Sequence, residues 1–342
     1  MLNQLCGHTL KPMDHQIITV PVTKDLGVDV NMTAHVLTGR EPGPTLLITS
    51  MLHGEEWFSV LIIRALFKAL DLSKLKGTVI AIPVANESAF NTNTRCVMDN
   101  SDEPDANRSF DGRYNCLTNL ICRCVEENFL SKADYLIDYH VGTWGNRMAD
   151  IGYGSDYPDA ELVRISRGMA KAYCFPVLHA MRLNQGTHSA RNAMGCAGLK
   201  YGVPAIVPEI GGLGFGQAQE DAWIQDNIRG LLGNLSFLGM LEGEIPYCEK
   251  YLEVGEYFRV SPKNGGYVEL ALPSAGALTP VKRDQLLARV IDPKTFQVLE
   301  ELRSPCDGMI FYGCRNYMVR PGGWVFGVAN MEHDCSKWVG AD

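Results

Sequence analysis

The chain has 342 residues, 46% hydrophobic and 20% charged, the balance of a soluble globular protein with length for about two domains. Its net charge of −8 carries no lysine- or arginine-rich block, so neither a nucleic-acid backbone nor an anionic membrane is an expected partner. The amino terminus lacks a basic region ahead of an apolar core, no run is long and apolar enough to span a bilayer, and eleven scattered cysteines read as reduced thiols, which together predict a cytoplasmic location.

Along the chain, Ile17–Val22 and Asn31–Leu37 read as early strands and Thr45–Met51 as a buried central strand. Helical periodicity over Phe58–Leu70 and a second buried strand at Thr78–Val84 follow. The polar stretch Thr92–Arg113 lacks periodicity and reads as a long loop, and loops of that length inside a compact domain are usually functional or disordered. Next come a helix over Tyr114–Leu130, a short strand at Tyr135–Tyr139 and a helix over Asp159–Tyr173. The pair Cys122 and Cys124 falls inside the first of these helical patterns, where buried structural cysteine is the better reading than a metal site. Ala205–Glu209 is one more strand and Gln219–Leu241 a long helix. This alternation predicts an α/β fold with a parallel or mixed sheet and helices on both faces. After Gly243 short strand-like runs, Tyr267–Leu272 and Met309–Tyr312 among them, are punctuated by Gly and Pro. The expected division is residues 1–243, an α/β domain, and 244–342, a small all-β domain.

Chemistry concentrates at the predicted strand ends. His53-Gly54-Glu55-Glu56 follows the central strand directly, where α/β sheets collect ligands in the crevice beyond their carboxyl ends. A catalytic zinc site needs about three protein ligands and one open position. His53 and Glu56 supply two, and His140, just after the strand Tyr135–Tyr139, supplies a third. Asp138 lies on the same side of that strand as His140 and suits a carboxylate that orients a ligand. Glu209 ends its strand ahead of Gly211-Gly212 and is the candidate general base. In the long loop, Asn107 and Arg108 pair an amide with a guanidinium, a combination suited to gripping a carboxylate, and Arg95 is a candidate for stabilising charge on a carbonyl oxygen. Arg182 and Arg191 are candidates for a second cationic contact; His179 and His188 flank a predicted loop and are weak ligand candidates. The role of Glu55 stays open.

The ordered motifs His53-Gly-Glu-Glu56, Asn107-Arg-Ser-Phe110, Asp138-Tyr-His140 and Pro208-Glu-Ile-Gly-Gly212 resemble those of the succinylglutamate desuccinylase/aspartoacylase family of zinc carboxypeptidase-like deacylases. The resemblance implies a zinc carboxypeptidase-like mixed sheet, one zinc ion per chain on His53, Glu56 and His140, and Glu209 as general base. It further implies Asn107 and Arg108 as the substrate-carboxylate clamp and Arg95 as the carbonyl-polarising residue. The twelve-residue offset of Arg95 from Asn107 is longer than the family pattern. The implied reaction is hydrolysis of the amide bond of an N-acyl amino acid or related small N-acyl compound, with the acyl group unread. A metallocarboxypeptidase acting on peptides shares these features. A catalytically inactive small-molecule binding protein on the same scaffold is the alternative of another class, and against it no ligand and no base is missing. Homo-oligomerisation is left open.

Overall fold

The computed structural model describes residues 2–97, 105–113, 116–183, 188–272, 278–315 and 317–341. A two-stranded hairpin, β1 (Gln4–Leu5) and β2 (His8–Thr9), precedes β3 (Asp14–Asp25), β4 (Val28–Thr38) and β5 (Glu41–Ser50). Then come α1 (Phe58–Ala69), β6 (Lys76–Ile82), α2 (Glu87–Thr92), α3 (Leu117–Asn128), β7 (Tyr135–Tyr139) and β8 (Asn146–Gly154). The helix α4 (Ala160–Ala172), β9 (Val177–Met181), α5 (Ala193–Tyr201), β10 (Ala205–Gly211) and α6 (Gln217–Phe237) complete the first part. Strands follow: β11 (Lys250–Val254), β12 (Tyr257–Val260), β13 (Gly266–Leu270), β14 (Thr279–Val281) and β15 (Leu286–Ile291). The last are β16 (Val298–Arg303), β17 (Gly308–Cys314), β18 (Tyr317–Val319), β19 (Phe326–Asn330) and β20 (Ser336–Gly340).

Fourteen strands join one sheet in the order β12-β19-β17-β8-β10-β7-β5-β6-β4-β3, with β9 on β8, β11 on β9, β20 on β11 and β14 on β17. Its centre, β6-β5-β7-β10, is parallel, whereas β4, β3 and β8 run antiparallel to their neighbours in this order. Parallel strands are covered on both sides, which is why β5 and β10 read as unbroken apolar runs instead of alternating ones. Leu47, Leu136 and Val207 pack on one face beneath α3 and α5. Ile48, Ile137 and Ile206 pack on the other beneath α1, α4 and α6. The helix α1 shows how the pattern works locally: Phe58, Ile62 and Leu66 recur every four residues and are all buried.

The expected α/β architecture with a β-rich carboxyl-terminal part is the one observed. Within residues 1–243, the sheet strands β8 and β9 escaped the sequence reading. β8 carries Gly152 and Gly154 and β9 is only five residues long, so neither presents the long apolar run that marks a central strand. The helix expected over Tyr114–Leu130 starts at Leu117, and residues 114–115 lie outside the described residues. Of the loop expected at Thr92–Arg113, residues 98–104 also lie outside them, and Ala106–Arg108 form a turn of 3-10 helix. Beyond residue 243 a second core gathers around Val268, Val290 and Phe326, while a smaller one joins Val177 and Leu252 to Phe311 and Tyr312.

Candidate active site

Because β5, β7 and β10 are parallel, their carboxyl ends open on one edge, and the chemistry-bearing side chains gather there. At the end of β5 the buried Met51 takes φ +56°, a conformation that costs a non-glycine residue about 1–3 kcal/mol and is typically kept at functional turns. The loop that follows is pinned by Asn86, whose backbone N–H donates to Met51 O at 3.0 Å and whose amide donates to Leu52 O at 3.2 Å. Gly54 is required by contact: a Cβ there would stand 2.0 Å from the backbone carbon of Ala89. These constraints deliver His53 and Glu56 buried at the strand end.

His140 follows β7 and forms an isolated parallel bridge with Glu209 of β10, its N–H donating to Pro208 O at 3.1 Å. Nδ1 of His53 lies 2.7 Å from Glu56 Oε1, and Nδ1 of His140 lies 2.8 Å from Glu56 Oε2. Ligand atoms of all three residues fall within 4.8 Å of one another. The other ring nitrogens face carboxylates too: Nε2 of His53 is 3.1 Å from Asp105 Oδ1, and Nε2 of His140 is 3.2 Å from Asp138 Oδ2. Thr49 Oγ1 donates to the second Asp138 oxygen at 2.6 Å. Each imidazole is thus held between an inner and an outer carboxylate. Outer carboxylates of this kind are what orient metal-binding imidazoles, and two histidines with one glutamate are the donor set of known catalytic zinc sites. The residues therefore fit a divalent metal ion.

Electrostatics agree with that fit. Burial would raise the Glu56 carboxyl, but the adjacent His53 and His140 hold it well below the usual carboxylate range. Burial works the same way on Asp105 and is outweighed by His53, Arg95 and Arg108, so this acid too is depressed. Glu209 behaves oppositely. Burial, reinforced by Asp150, pushes its carboxyl up to about 7. Glu55 is half-buried beside Glu56, and burial together with that neighbour raises it as well.

Around the cluster lies a cavity of about 510 Å³ lined by His53, Glu56, His140, Glu209, Arg95 and Arg108, among others. Arg95 reaches Asp105 Oδ2 at 3.2 Å and stands 3.7 Å from Glu56 Oε1. Asn107 lines the cavity, but its amide is engaged: Oδ1 accepts from Ala193 N–H at 3.1 Å, and Nδ2 lies 2.9 Å from His140 Nε2. Of the two arginines considered for a second cationic contact, Arg191 lies 3.3 Å from Asp111 and Arg182 is exposed. The cation that lines the far wall is Arg259 of β12. His179 falls on β9, two residues before that strand ends, with Nδ1 3.3 Å from Asp150 Oδ2; the His188 side chain lies outside the described residues.

Sequence reasoning missed Asp105, Asp150 and the wall formed by β12 and β17, and weighed His179 only as a metal ligand, not as the partner of Asp150. Asp105 stands two residues before Asn107, and an acid so near a proposed clamp was a usable signal. Nothing local marks Asp150 or Arg259, because the strands that bring them to the site are distant in sequence from its motifs.

A mixed α/β sheet with a buried His-Glu-His cluster at its parallel strand ends has the donor set of metal-dependent hydrolases. Residues 42–230 match the family described as succinylglutamate desuccinylase/aspartoacylase catalytic domain, and the chain belongs to that family. It is 25% identical over 307 residues to the N-alpha-acetyl-L-2,4-diaminobutyric acid deacetylase of Halomonas elongata, covering 87% of this chain and 86% of that protein. The product-bound structure of an ectoine utilization protein from Ruegeria pomeroyi superposes with a TM-score of 0.77 at 24% identity, over 94% of this chain and 98% of that one. A succinylglutamate desuccinylase/aspartoacylase from Rhodobacter sphaeroides gives 0.75 at 20% identity, over 92% and 94%. These structural likenesses establish the shared fold.

Proposed function

We propose that the protein is a zinc-dependent amidohydrolase that removes the acyl group from a small N-acyl amino acid. The observation that carries this reading is the convergence of His53, Glu56 and His140 within 4.8 Å, buried and backed by Asp105 and Asp138. Family membership and the deacetylase named among its relatives support the same chemistry.

His53, Glu56 and His140 hold the metal, one ion per chain. A zinc ion there supplies Lewis acidity toward the amide carbonyl and lowers the pKa of water enough for attack near neutral pH. Glu209 takes a proton from the attacking water and passes it to the amide nitrogen; the new C–O bond replaces the C–N bond, leaving a carboxylic acid and a free amine. A carboxyl near neutrality is suited to both halves of that transfer. Arg95 stabilises the negative charge that develops on the carbonyl oxygen. Arg108, with Asn107 beside it, holds the substrate carboxylate, and Asn107 also steadies His140.

In this reading residues 244–342 form a second domain that walls the site, and the partner is a small molecule. Eleven free thiols suit a cytoplasmic setting, and among the described residues no helix is long and apolar enough to cross a membrane. The test is a hydrolysis screen with added zinc over N-acetyl and N-succinyl amino acids, set beside peptides with a free carboxyl terminus. Turnover of the acylated amino acids supports the proposal; turnover of peptides alone replaces it with the carboxypeptidase reading.

A further inference from the structure

The cavity extends past the metal-type cluster and Glu209 to residues of β8, β9, β12 and β17 that the reaction does not use. From the cluster it runs across the face of the sheet that carries Glu209, and strand register shows what forms its floor. Val207 and Glu209 lie on one face of β10, two residues apart. On the antiparallel neighbour β8, Gly152 stands opposite Val207, Asp150 opposite Glu209, and Met148 opposite Gly211. On β9, His179 pairs with Gly152 and Met181 with Gly154. All of these residues share that face. Two strand spacings separate β7, which leads to His140, from β8, or about 10 Å. An acetyl group spans only a fraction of that distance.

Around the acid pair Glu209 and Asp150 the floor carries apolar side chains. Val207, Met148 and Met181 line the cavity. Asp150, on the same face, is buried and engaged by His179. Gly152 makes room for Met181: a Cβ there would stand 2.6 Å from the thioether sulfur, so the methionine lies across the strand where a larger residue would displace it. Methionine is flexible and polarisable, a side chain that adapts to apolar groups of differing shape. The opposite wall is aromatic. Tyr257, Tyr312 and Trp324 line the same cavity. Tyr312 and Trp324 stack with centroids 4.2 Å apart, and the Tyr312 hydroxyl lies 3.4 Å from Trp324 O. Arg259 also faces this wall, but its guanidinium carbon sits 5.1 Å from the Trp324 ring centroid, and it donates to Gly322 O at 3.3 Å. The clamp residues Asn107 and Arg108 lie next to His140 and the amino end of α5.

We infer that Val207, Met148, Met181, Tyr257, Tyr312 and Trp324 form an acyl subsite for an apolar chain or ring larger than acetyl. The inference rests on the deacylase reading: with the amino-acid carboxylate on the clamp side and the scissile carbon between the metal ligands and Glu209, the acyl group extends over this floor. Acyl groups of about four to eight carbons, straight, branched or aromatic, match its reach.

The test compares N-acetylglycine, N-hexanoylglycine and N-glutarylglycine with N-acetylnorleucine. Calorimetric binding to zinc-loaded Glu209→Gln protein, where turnover is suppressed, is set beside kcat/KM of the wild type. Each buried methylene is worth about 0.8 kcal/mol, close to fourfold, so N-hexanoylglycine should bind at least about tenfold tighter than N-acetylglycine even with partial burial. Met181→Leu should keep that ratio and Met181→Asp should erase it; a ratio unchanged in Met181→Asp overturns the subsite. Equal binding of the acetyl and hexanoyl compounds overturns it as well, as does tighter binding of the glutaryl compound, which would assign the wall to Arg259 and an anionic acyl group. A preference that follows norleucine and not hexanoyl places the apolar group on the amine and refutes the acyl assignment. If none of these compounds is bound or hydrolysed, the deacylase reading falls together with the subsite; if the acetyl compounds are turned over best, only the subsite falls.

Discussion

Glu209 and Asp150 stand directly opposite each other on antiparallel neighbours β10 and β8, two carboxylates on one face of the sheet. Asp150 is buried and has His179 as its partner, so the like charge that reaches Glu209 is only partly offset. Burial and this neighbour lift Glu209 to about 7 from an ordinary 4.5.

Two consequences of that shift can be measured. Activity should rise with pH as Glu209 loses its proton, a bound cation drawing that midpoint below the value that burial and Asp150 set, and Glu209→Gln should lower kcat at least about a hundredfold while retaining metal. Stability has the opposite slope. Below 4.5 the group is protonated whether folded or unfolded; above about 7 the folded chain must hold a poorly hydrated charge at the cavity wall beside Asp150, so its contribution is lost as pH rises through that window. In metal-stripped protein, Glu209→Gln should therefore be more stable than wild type at pH 8, by about 1–3 kcal/mol, with the gap closing at pH 5. Thermal unfolding at the two pH values decides it: an equal gap at both would remove that explanation.

Asp138 accepts from Thr49 at 2.6 Å and holds His140 at 3.2 Å. Asp138→Asn should weaken zinc affinity about 10- to 100-fold without abolishing binding, whereas His53→Ala should leave no stoichiometric metal. Stripped wild type given zinc at about a hundred times its Kd should gain about 2.7 kcal/mol of stability. Metal analysis and competition with a chelator read the first two, thermal unfolding with and without zinc reads the third, and no stabilisation by any divalent ion would refute the metal cluster.

Gly54 is pressed against the backbone of Ala89, where no side chain can retreat. Gly54→Ala should cost at least about 1–3 kcal/mol and loosen His53 and Glu56 together. Denaturant unfolding with parallel metal titration checks this, and a fully stable, fully metallated variant would contradict the contact.

Arg108 carries the proposed recognition of the substrate carboxylate. Arg108→Lys keeps the charge but loses the forked geometry, so KM should rise about tenfold with kcat changed far less. The corresponding amides, which lack the carboxylate, should bind poorly to both proteins. Equal KM values for acid and amide in the wild type would show that the residue serves another purpose.

Much of the site was legible because its motifs are local. His53 and Glu56 lie three positions apart behind an apolar run, and Asp138 and His140 alternate along one strand, so spacing alone brought each pair to one place. The parallel order of β5, β7 and β10 was implied by helices alternating with buried strands, and it carries the short motifs to a common edge. The sequence by itself therefore determined the α/β class, the metal-type donor set and the candidate base. Only the tertiary structure decided the rest. Asp150 meets Glu209, and Tyr257, Arg259 and Trp324 meet the cavity, through pairings between strands far apart in the chain. Register between distant strands is set by the packing of whole faces and not by any local pattern, so the residues that face the candidate base and line the cavity had no signature to read.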